Sequence, residues 1–353
     1  MDYASTLKKY INVLVHEGGS DLHLSRGAHP TIRVARMLTP MLKEPILEAV
    51  DTEGFFKVLI PDTHKERFAQ AQQIDFSFDA GDGIRFRVNV FTQSDSIAIA
   101  MRLISKQIRT LAELALPDIR LAFARKQQGF FLVVGPVGNG KSTTLAALVE
   151  SINTERMEHI ITIEDPIEYV FEQKQSLIAQ REVHTDAHDF ASALYGVFRE
   201  DVDVILVGEM REPETMAAAV SAAETGHLVF STLHTNNAAQ TIDRILDTFP
   251  PGQQDQIRTQ LAASLTGIFS QRLIPRISGG MIPAYELLIN NTAISNLIRE
   301  RRTHEINTVV ETSASEGMID MNHSLAELVA RGEITIESAY QYSLNSNMLN
   351  KLL

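Results

Sequence analysis

The chain has 353 residues, of which 44% are hydrophobic and 22% charged and none is cysteine, so it is expected to be a globular protein of two or three domains without disulfides or thiolate metal sites. Its 44 acidic and 32 basic side chains give a formal net charge of −12, which disfavours a sequence-independent grip on nucleic-acid phosphates. Because no apolar stretch reaches the roughly 18 residues needed to span a bilayer and MDYASTLKKY does not resemble a signal peptide, the sequence predicts a cytoplasmic protein.

The N-terminal part, residues 1–105, is predicted to be a mixed domain. It begins with an amphipathic helix over residues 3–15, followed by a turn at Gly18 and Gly19 and then by short strands. The clearest strands are residues 84–91 and 96–104, which alternate apolar with polar or small side chains. These two strands are expected to form a hairpin.

The hairpin turn is expected to centre on Gln93 and Ser94. The side chains then predicted to share the buried face are the pairs Ile84/Leu103, Phe86/Met101, Val88/Ile99 and Val90/Ile97. The same register sets Arg85 opposite Arg102, with Arg87 beside them on the outer face. Since like charges directly opposed are unfavourable, this face either binds an anion or is a solvated surface, and the pattern alone leaves both open.

Residues 106–118 are predicted to be a linker, within a stretch that runs from Ser105 to Asp118. From residue 119 the pattern changes to strands alternating with helices, which is typical of a parallel α/β core. The predicted strands are residues 129–134, 159–164, 203–207 and 227–233, with a helix between Pro213 and Gly226. The core is expected to end near residue 290, and residues 291–353 show only helical periodicity.

The motif GPVGNGKST fits the P-loop pattern GxxxxGKS, directly after an apolar strand and before the helical segment STTLAALVE. Its glycines let backbone amides surround phosphates, Lys141 reaches the β and γ oxygens, and Ser142 can ligate Mg²⁺. The predicted nucleotide-binding residues are Gly135, Pro136, Val137, Gly138, Asn139, Gly140, Lys141, Ser142 and Thr143. Neither a guanine-specifying NKxD motif nor an LSGGQ signature follows, which favours an ATP-consuming motor.

Carboxylates follow two of the predicted core strands. Glu209 ends the apolar run DVILVGE, where P-loop proteins place an acid that holds Mg²⁺. In TIEDPIE, Glu164, Asp165 and Glu168 are candidates for the acid that orients or deprotonates the attacking water, and their spacing does not rank them. The metal ligands predicted from the sequence are therefore Ser142 and Glu209.

Two histidines bracket the predicted strand 227–233. His227 and His234 are seven residues apart, so they alternate to opposite faces and do not form a joint zinc site. Each of them is either a sensor close to the γ-phosphate or a histidine satisfied within the core.

The segments GPVGNGKSTT, TIEDPIEYV, REDVDVILVGEMRE and TGHLVFSTLHTNNAAQTIDR resemble, in this order, the P-loop, aspartate box, magnesium box and histidine box of the type II/IV secretion ATPase family. The resemblance is greatest to the type IV pilus retraction (twitching motility) ATPases. GGSDLHLSRGAHPTIRV resembles the N-terminal signature of that group and AISNLIRE its C-terminal helical motif. The similarity therefore covers nearly the whole chain.

This resemblance implies an α/β fold, with a PAS-like α+β N-terminal domain joined to a RecA-like P-loop ATPase domain that ends in a C-terminal helical subdomain. It implies a homohexamer that binds ATP and Mg²⁺ between the two domains and couples ATP hydrolysis to pilus retraction. The implied partners are an inner-membrane platform protein and, as a further candidate, a second pilus ATPase, but no nucleic acid. The implied location is the cytoplasmic side of the inner membrane.

The resemblance also implies roles for individual residues. Glu168 would be the catalytic glutamate, Glu209 the acid of the magnesium box, and His227 and His234 the histidine box. Lys141 and Glu164, argued above from the residues, are further candidates for the catalytic set. The arginines implied near the nucleotide, some of them supplied by a neighbouring subunit, are Arg85, Arg87, Arg102, Arg199 and Arg244. This favours the anion-binding interpretation of the hairpin.

Four residues depart from the family's usual pattern: Asn139 replaces a serine, Tyr195 and Ser295 replace arginines, and Ser231 replaces a glycine. Ser295 lies in the motif that the family ties to retraction, so an accessory retraction ATPase remains an alternative. A secretion or pilus-assembly ATPase is disfavoured because those enzymes usually carry a further N-terminal domain and a cysteine zinc module. A RecA-like nucleic-acid translocase is disfavoured by the net charge, and a non-hydrolysing nucleotide binder by the complete set of acids.

Overall fold

The computed structural model describes residues 2–35, 37–104, 107–119 and 123–353, which form two compact units. The first unit comprises the described residues of Met1–Gln107 together with Asp165–Phe171 and Glu182–Ala187. The second comprises those of Ile108–Glu164, Glu172–Arg181 and His188–Leu353. Ser105 and Lys106, at the start of the predicted linker, lie outside the described residues.

The first unit combines three helices with a six-stranded sheet. In chain order its elements are α1 (Tyr3–His16), β1 (Asp21–Leu24), β2 (Thr31–Val34), β3 (Met37–Pro40), α2 (Ala49–Leu59), α3 (Lys65–Ala71), β4 (Gln73–Asp79), β5 (Arg85–Gln93) and β6 (Ser96–Ile104). Helix α1 begins where the Asp2 carboxylate accepts from the amides of Ala4 and Ser5, and it buries Leu7, Tyr10, Ile11 and Leu14. This spacing puts the four side chains on one helical face, as predicted.

The sheet of the first unit has the order β3-β2-β1-β6-β5-β4 and is antiparallel throughout. The predicted hairpin is β5 and β6, and the inward alternation of Phe86, Val88, Ile99 and Met101 is confirmed by their burial. The predicted register is wrong, because the turn centres on Ser94 and Asp95 rather than on Gln93 and Ser94. The observed pairs include Phe86/Leu103, Val88/Met101 and Val90/Ile99.

The corrected register changes which charges meet on the outer face. Arg87, not Arg85, lies directly opposite Arg102, and Arg85 pairs with Ile104. Two like charges still oppose each other across the hairpin, so anionic groups are expected beside Arg87 and Arg102.

The second unit is built on a seven-stranded sheet with helices in the connections. Its strands are β7 (Gly129–Val134), β8 (His159–Glu164), β9 (Leu177–Glu182), β10 (Val204–Val207), β11 (Leu228–Leu233), β12 (Leu265–Pro275) and β13 (Met281–Ile289). Glu182, the last residue of β9, is assigned to the first unit. The helices of the second unit are α4 (Lys141–Glu155), α5 (Phe190–Val197), α6 (Pro213–Glu224), α7 (Ala238–Asp247), α8 (Pro251–Ser264), α9 (Thr292–Arg299), α10 (Ile306–Thr312), α11 (Met321–Ala330), α12 (Ile336–Tyr342) and α13 (Ser346–Leu352). The strand order is β13-β12-β7-β11-β10-β8-β9.

The five inner strands β12, β7, β11, β10 and β8 run parallel to one another. Every residue of β7, β10 and β11 is buried, as expected for a parallel sheet covered on both faces. The four predicted core strands are confirmed to within one residue at each end. The hairpin of β12 and β13 was not predicted, although the sequence RISGG marks its turn between two apolar runs.

Helices alone follow β13, which confirms the helical periodicity predicted for the end of the chain. Part of this helical region packs on the β12/β13 hairpin, where Leu325 and Leu328 of α11 share a buried cluster with Ile274 and Ile282. Within the described ranges, every helix is too short or too polar to cross a lipid bilayer.

Candidate active site

The P-loop joins the end of β7 to the start of α4 at the carboxyl edge of the parallel sheet. Gly135, Gly138 and Gly140 have φ values of +145°, +77° and +81°, a region that side chains other than glycine rarely adopt. These glycines turn the loop so that α4 begins at Lys141, with the backbone amides of its first turn at the loop. A helix start of this kind binds phosphate groups.

Gly135 is required for packing as well as for backbone conformation. A methyl group at this position would lie 2.3 Å from the backbone oxygen of Gln271 on β12, a separation that atoms in proteins do not show. The first residue of the P-loop is therefore in direct contact with β12.

Lys141 is 7% exposed and its ammonium group is folded onto the loop. Its Nζ donates to the carbonyl oxygens of Gly135 at 2.9 Å and Pro136 at 3.0 Å, and lies 3.2 Å from Nδ1 of His234. A buried ammonium held at the mouth of a P-loop supplies the positive charge that neutralises phosphate oxygens.

His234 directly follows β11 and lies between Lys141 and Glu209. Its Nδ1 contacts Lys141, and its Nε2 is 3.6 Å from Oε2 of Glu209. Burial, and then the charges of Lys141 and Arg211, lower the pKa of His234 against the opposing effect of a hydrogen bond that the ring donates to the Gly135 backbone. An ammonium has only donors, so in the tautomer whose Nδ1 accepts from Lys141 the proton of a neutral ring lies on Nε2, facing Glu209.

Glu209 follows β10 and lies at the same edge of the sheet. Its carboxylate pairs with Arg211, whose NH2 atom is 3.1 Å from Oε2. Together with the Ser142 hydroxyl it offers hard oxygen donors, which are the ligands that Mg²⁺ prefers, and nucleotide phosphates and water commonly complete such a site. In the described part of the chain no group of three or more His, Cys, Asp or Glu side chains forms a metal site by itself.

The structure places the two predicted histidines at opposite ends of β11, as expected from their spacing. His227 precedes the strand, where its Nδ1 is 3.0 Å from the backbone oxygen of Ala222 and its ring packs edge-on against Phe198. It therefore lies at the amino edge of the parallel strands, away from Lys141 and Glu209.

The three acids of TIEDPIE belong to different units. Glu164 ends β8 in the second unit, is 7% exposed, and accepts from Thr162 at 2.7 Å and Gln180 at 3.3 Å. Asp165 and Glu168 belong to the first unit, and both are exposed. One oxygen of Glu168 lies 3.8 Å from the guanidinium of Arg87. Glu168 is therefore a candidate for the acid that orients the attacking water and lies beside an arginine.

Carboxylates of the first unit face each arginine of the hairpin. Arg85 donates to the Ser77 hydroxyl at 2.8 Å and lies 3.8 Å from Glu182, and Arg102 donates to Asp21 at 2.8 Å. These acids offset the repulsion between the opposed guanidinium groups, and a side chain of Arg102 that is 73% exposed remains accessible. The two predicted core arginines, Arg199 after α5 and Arg244 on α7, are both exposed in the second unit.

Three buried polar residues near these groups were not predicted: Gln271, Glu182 and Glu286. Gln271 is 3% exposed and bonds to the P-loop, and Glu182 is 2% exposed and accepts from the amides of Ser77 at 3.0 Å and Ile167 at 3.2 Å. Glu286 accepts from the amide of Ala238, the first residue of α7, at 2.7 Å. The sequence marks Glu286 as a charged side chain within a largely apolar strand, whereas Gln271 and Glu182 stand beside other polar side chains and carry no such signal.

Comparison with known proteins assigns the chain to a family. The family described as type II/IV secretion system protein matches residues 3–341. The chain belongs to this family. This secretion ATPase is 43% identical over 323 residues to the type IV pilus retraction ATPase PilT of Pseudomonas aeruginosa, covering 92% of this chain and 94% of that protein. It is 45% identical over 307 residues to the twitching motility protein of Neisseria gonorrhoeae, covering 87% of this chain and 82% of that protein.

A solved structure shows the same fold. The crystal structure of the pilus retraction motor PilT with bound ADP superposes with a TM-score of 0.89 at 45% identity, covering 98% of each chain. This secretion ATPase therefore has an α/β fold with an α+β N-terminal domain and a RecA-like ATPase domain that ends in a helical part. It binds nucleotide and is an ATPase that resembles the pilus retraction enzymes.

Proposed function

We propose that this chain is the motor of type IV pilus retraction, in which ATP hydrolysis drives pilus disassembly and twitching motility. The observation that supports the proposal most directly is the row Lys141, His234 and Glu209 at the carboxyl edge of the second sheet. This row lies in a chain that is similar over most of its length to two proteins named for retraction and twitching.

In the proposed mechanism the P-loop residues 135–143 hold the phosphates of ATP, with Lys141 donating to the β and γ oxygens. Ser142 and Glu209 would hold Mg²⁺, which when bound supplies positive charge to the phosphate oxygens. Neutral His234, with Nε2–H toward Glu209, is suited to sense a change of charge at the γ-phosphate.

We infer that Glu168 orients the attacking water, since it is the exposed acid beside Arg87, and that buried Glu164 supports the end of β8. Arginines are proposed to neutralise the charge that develops on the γ-phosphate, some of them from a neighbouring subunit, and one such arginine accelerates phosphoryl transfer by about 10³ to 10⁵. The proposed set is Arg85, Arg87, Arg102, Arg199 and Arg244. His227 stays a proposed member of the histidine box, although it lies at the amino edge of β11.

The assembly and its partners are also part of the proposal. We propose a homohexamer that acts on an inner-membrane platform protein from the cytoplasmic side, with a second pilus ATPase as a further partner. The proposed domain division is residues 1–105, a linker at 106–118, an ATPase core at 119–290 and a helical subdomain at 291–353.

An accessory retraction ATPase is the second candidate, and Ser295 on α9 is the observation that favours it. The Ser295 hydroxyl donates to the backbone oxygen of Ala262 at 2.9 Å and lies 3.1 Å from Oδ1 of Asn290. The side chain is therefore engaged with the end of α8 in its own unit. It cannot offer the guanidinium that the family motif usually carries at this position.

Complementation of a strain that lacks its pilus retraction ATPase tests the proposal. The wild-type chain is expected to restore twitching, and Glu168→Gln is expected to bind ATP as wild type does, to lose turnover and not to restore twitching. Lys141→Ala, which removes the phosphate-binding ammonium, is the matched control for lost binding.

Two outcomes would contradict specific parts of the proposal. Wild-type ATP hydrolysis by Glu168→Gln would remove Glu168 from its role. A wild-type chain that hydrolyses ATP but does not restore twitching would contradict a primary retraction motor. Twitching that then appeared only when a second retraction ATPase was supplied would support the accessory role.

A further inference from the structure

Strand β12 continues past the strand beside it. Its pairing with β7 ends at Ser270 and Val134, the last residue of β7, while β12 itself runs on to Pro275. At this level the chain of β7 has already turned into the P-loop. The extension of β12 therefore lies along the P-loop, where it contacts Gly135 and Asn139.

The side-chain amide of Gln271 makes two hydrogen bonds, one on each side of Lys141. Its Nε2 donates to the backbone oxygen of Asn139 at 2.9 Å, and its Oε1 accepts from the hydroxyl of Thr144 at 2.6 Å. A carbonyl oxygen can only accept, so the amide can be placed in one orientation only, and the Thr144 hydroxyl must be the donor.

Both the backbone and the side chain of Gln271 lie close to glycines of the P-loop. Its carbonyl oxygen fills the space that a side chain at Gly135 would need, and its Nε2 lies 3.0 Å from the position of a methyl group at Gly140. Two residues further along β12, the amide of Leu273 donates to Oδ1 of Asn139 at 2.8 Å. The loop is thus bound to β12 near both of its ends.

We propose that Gln271 is a positioning residue of the ATPase, which holds the turn from Asn139 to Thr144 in the conformation that binds phosphates. Lys141 and Ser142 lie within this turn. Gly140 gives the turn conformational freedom, and a loop without the bonds to Gln271 would have to lose that freedom when phosphates bind. Gln271 is 3% exposed and Thr144 is fully buried, so water does not replace the two hydrogen bonds. Preorganisation of this kind appears as nucleotide affinity and as rate.

The test compares isosteric side chains with and without hydrogen-bonding groups. Gln271→Met keeps the length of the side chain and loses both bonds, and Thr144→Val keeps the shape and loses one donor. Thr144→Ser keeps the hydroxyl and is the matched control. For each full-length variant, the dissociation constant of Mg-ADP is measured by calorimetry, kcat and KM for ATP by phosphate release, and the thermal midpoint without nucleotide.

We expect Gln271→Met to bind ADP about tenfold more weakly, the effect of losing two buried hydrogen bonds, and to lower kcat as well. Thr144→Val should weaken binding by a smaller factor, and the double variant should bind no more weakly than Gln271→Met, because the two residues share one bond. Thr144→Ser should bind ADP as wild type does.

A folded Gln271→Met with wild-type ADP affinity and kcat would overturn the proposal, even if its thermal midpoint fell, since the role would then be structural only. If that variant does not fold, the threonine pair decides: Thr144→Val with wild-type affinity overturns the proposal. The inference rests on nucleotide binding by this chain, so failure to restore twitching would leave it standing.

Discussion

The buried acid Glu286 is predicted to make the free energy of unfolding depend on pH, and one substitution can isolate its contribution. It lies on β13, 6% exposed, and its Oε1 accepts from the Ala238 amide at 2.7 Å and from the Ser270 hydroxyl at 3.4 Å. Through Ala238 it fixes the start of α7, directly after the loop that carries His234. The perturbation is Glu286→Gln, which keeps an acceptor oxygen and removes the ionisable proton.

The magnitude follows from the pKa of this carboxyl group. Burial raises the pKa of Glu286 to about 7 from its usual 4.5, and the hydrogen bond from Ala238 only partly offsets this effect. The folded protein therefore holds the proton more tightly than the unfolded chain, so the stabilisation is fully present below pH 4.5 and is lost as the pH rises through 7. At about 1.4 kcal/mol for each pH unit, the loss is roughly 3 kcal/mol.

Histidines titrate in the same range with the opposite sign. Burial lowers the pKa values of His23, His64 and His234, so the stability that they contribute is present above about pH 6.5 and is lost as the pH falls. The pH dependence of the wild-type free energy of unfolding therefore combines the contributions of Glu286 and the histidines. The difference in this free energy between the wild type and Glu286→Gln isolates the contribution of Glu286, because both chains contain the same histidines.

The assay is urea unfolding followed by circular dichroism from pH 5 to pH 8. The two chains should have similar free energies of unfolding near pH 5, and Glu286→Gln should become more stable than the wild type by up to about 3 kcal/mol at pH 8. A difference that stays constant across this range, or that favours the wild type as the pH rises, would refute the reasoning.

Two further predictions concern the P-loop and the first unit. Gly135→Ala should weaken ADP binding, measured by calorimetry, more than Gly138→Ala does. Both glycines have positive φ, but only a methyl group at Gly135 would lie 2.3 Å from the backbone oxygen of Gln271. Equal effects of the two substitutions would contradict this. Glu182→Ala should lower the free energy of unfolding by about 2–5 kcal/mol, since two backbone amides lose their acceptor, and Glu182→Gln by less; urea titrations that gave the reverse order would count against it.

The sequence predicts the core strands well because a buried parallel strand is a short apolar run between turn signals. It predicts the hairpin face but not the register, for a physical reason. Moving the turn by one residue shifts each pairing by two, which leaves the same side chains on the buried face. The deciding signal is local: Ser94 and Asp95 adopt φ values of +48° and +58°, and aspartate tolerates this conformation better than glutamine does.

The P-loop can be predicted as a unit because all of its groups are contiguous in sequence. Gln271 cannot, since its partner Thr144 is 127 positions away and no spacing rule connects them. The same holds for Glu182, which bonds to Ser77 across 105 positions. The catalytic roles of Glu168 and of the five arginines stay predictions, because their chemistry depends on the nucleotide.

The first unit is discontinuous in sequence, and this affects the order in which it can be completed during synthesis. Glu182, from its last segment, accepts hydrogen bonds from Ser77 in the first segment and from Ile167 in the middle one. A fragment that ends at Gln107 leaves the Ser77 amide without this acceptor. A ribosome must therefore translate the P-loop and continue to Glu182 before the N-terminal unit can make all its contacts, so this unit cannot be completed before the ATPase core has begun to emerge.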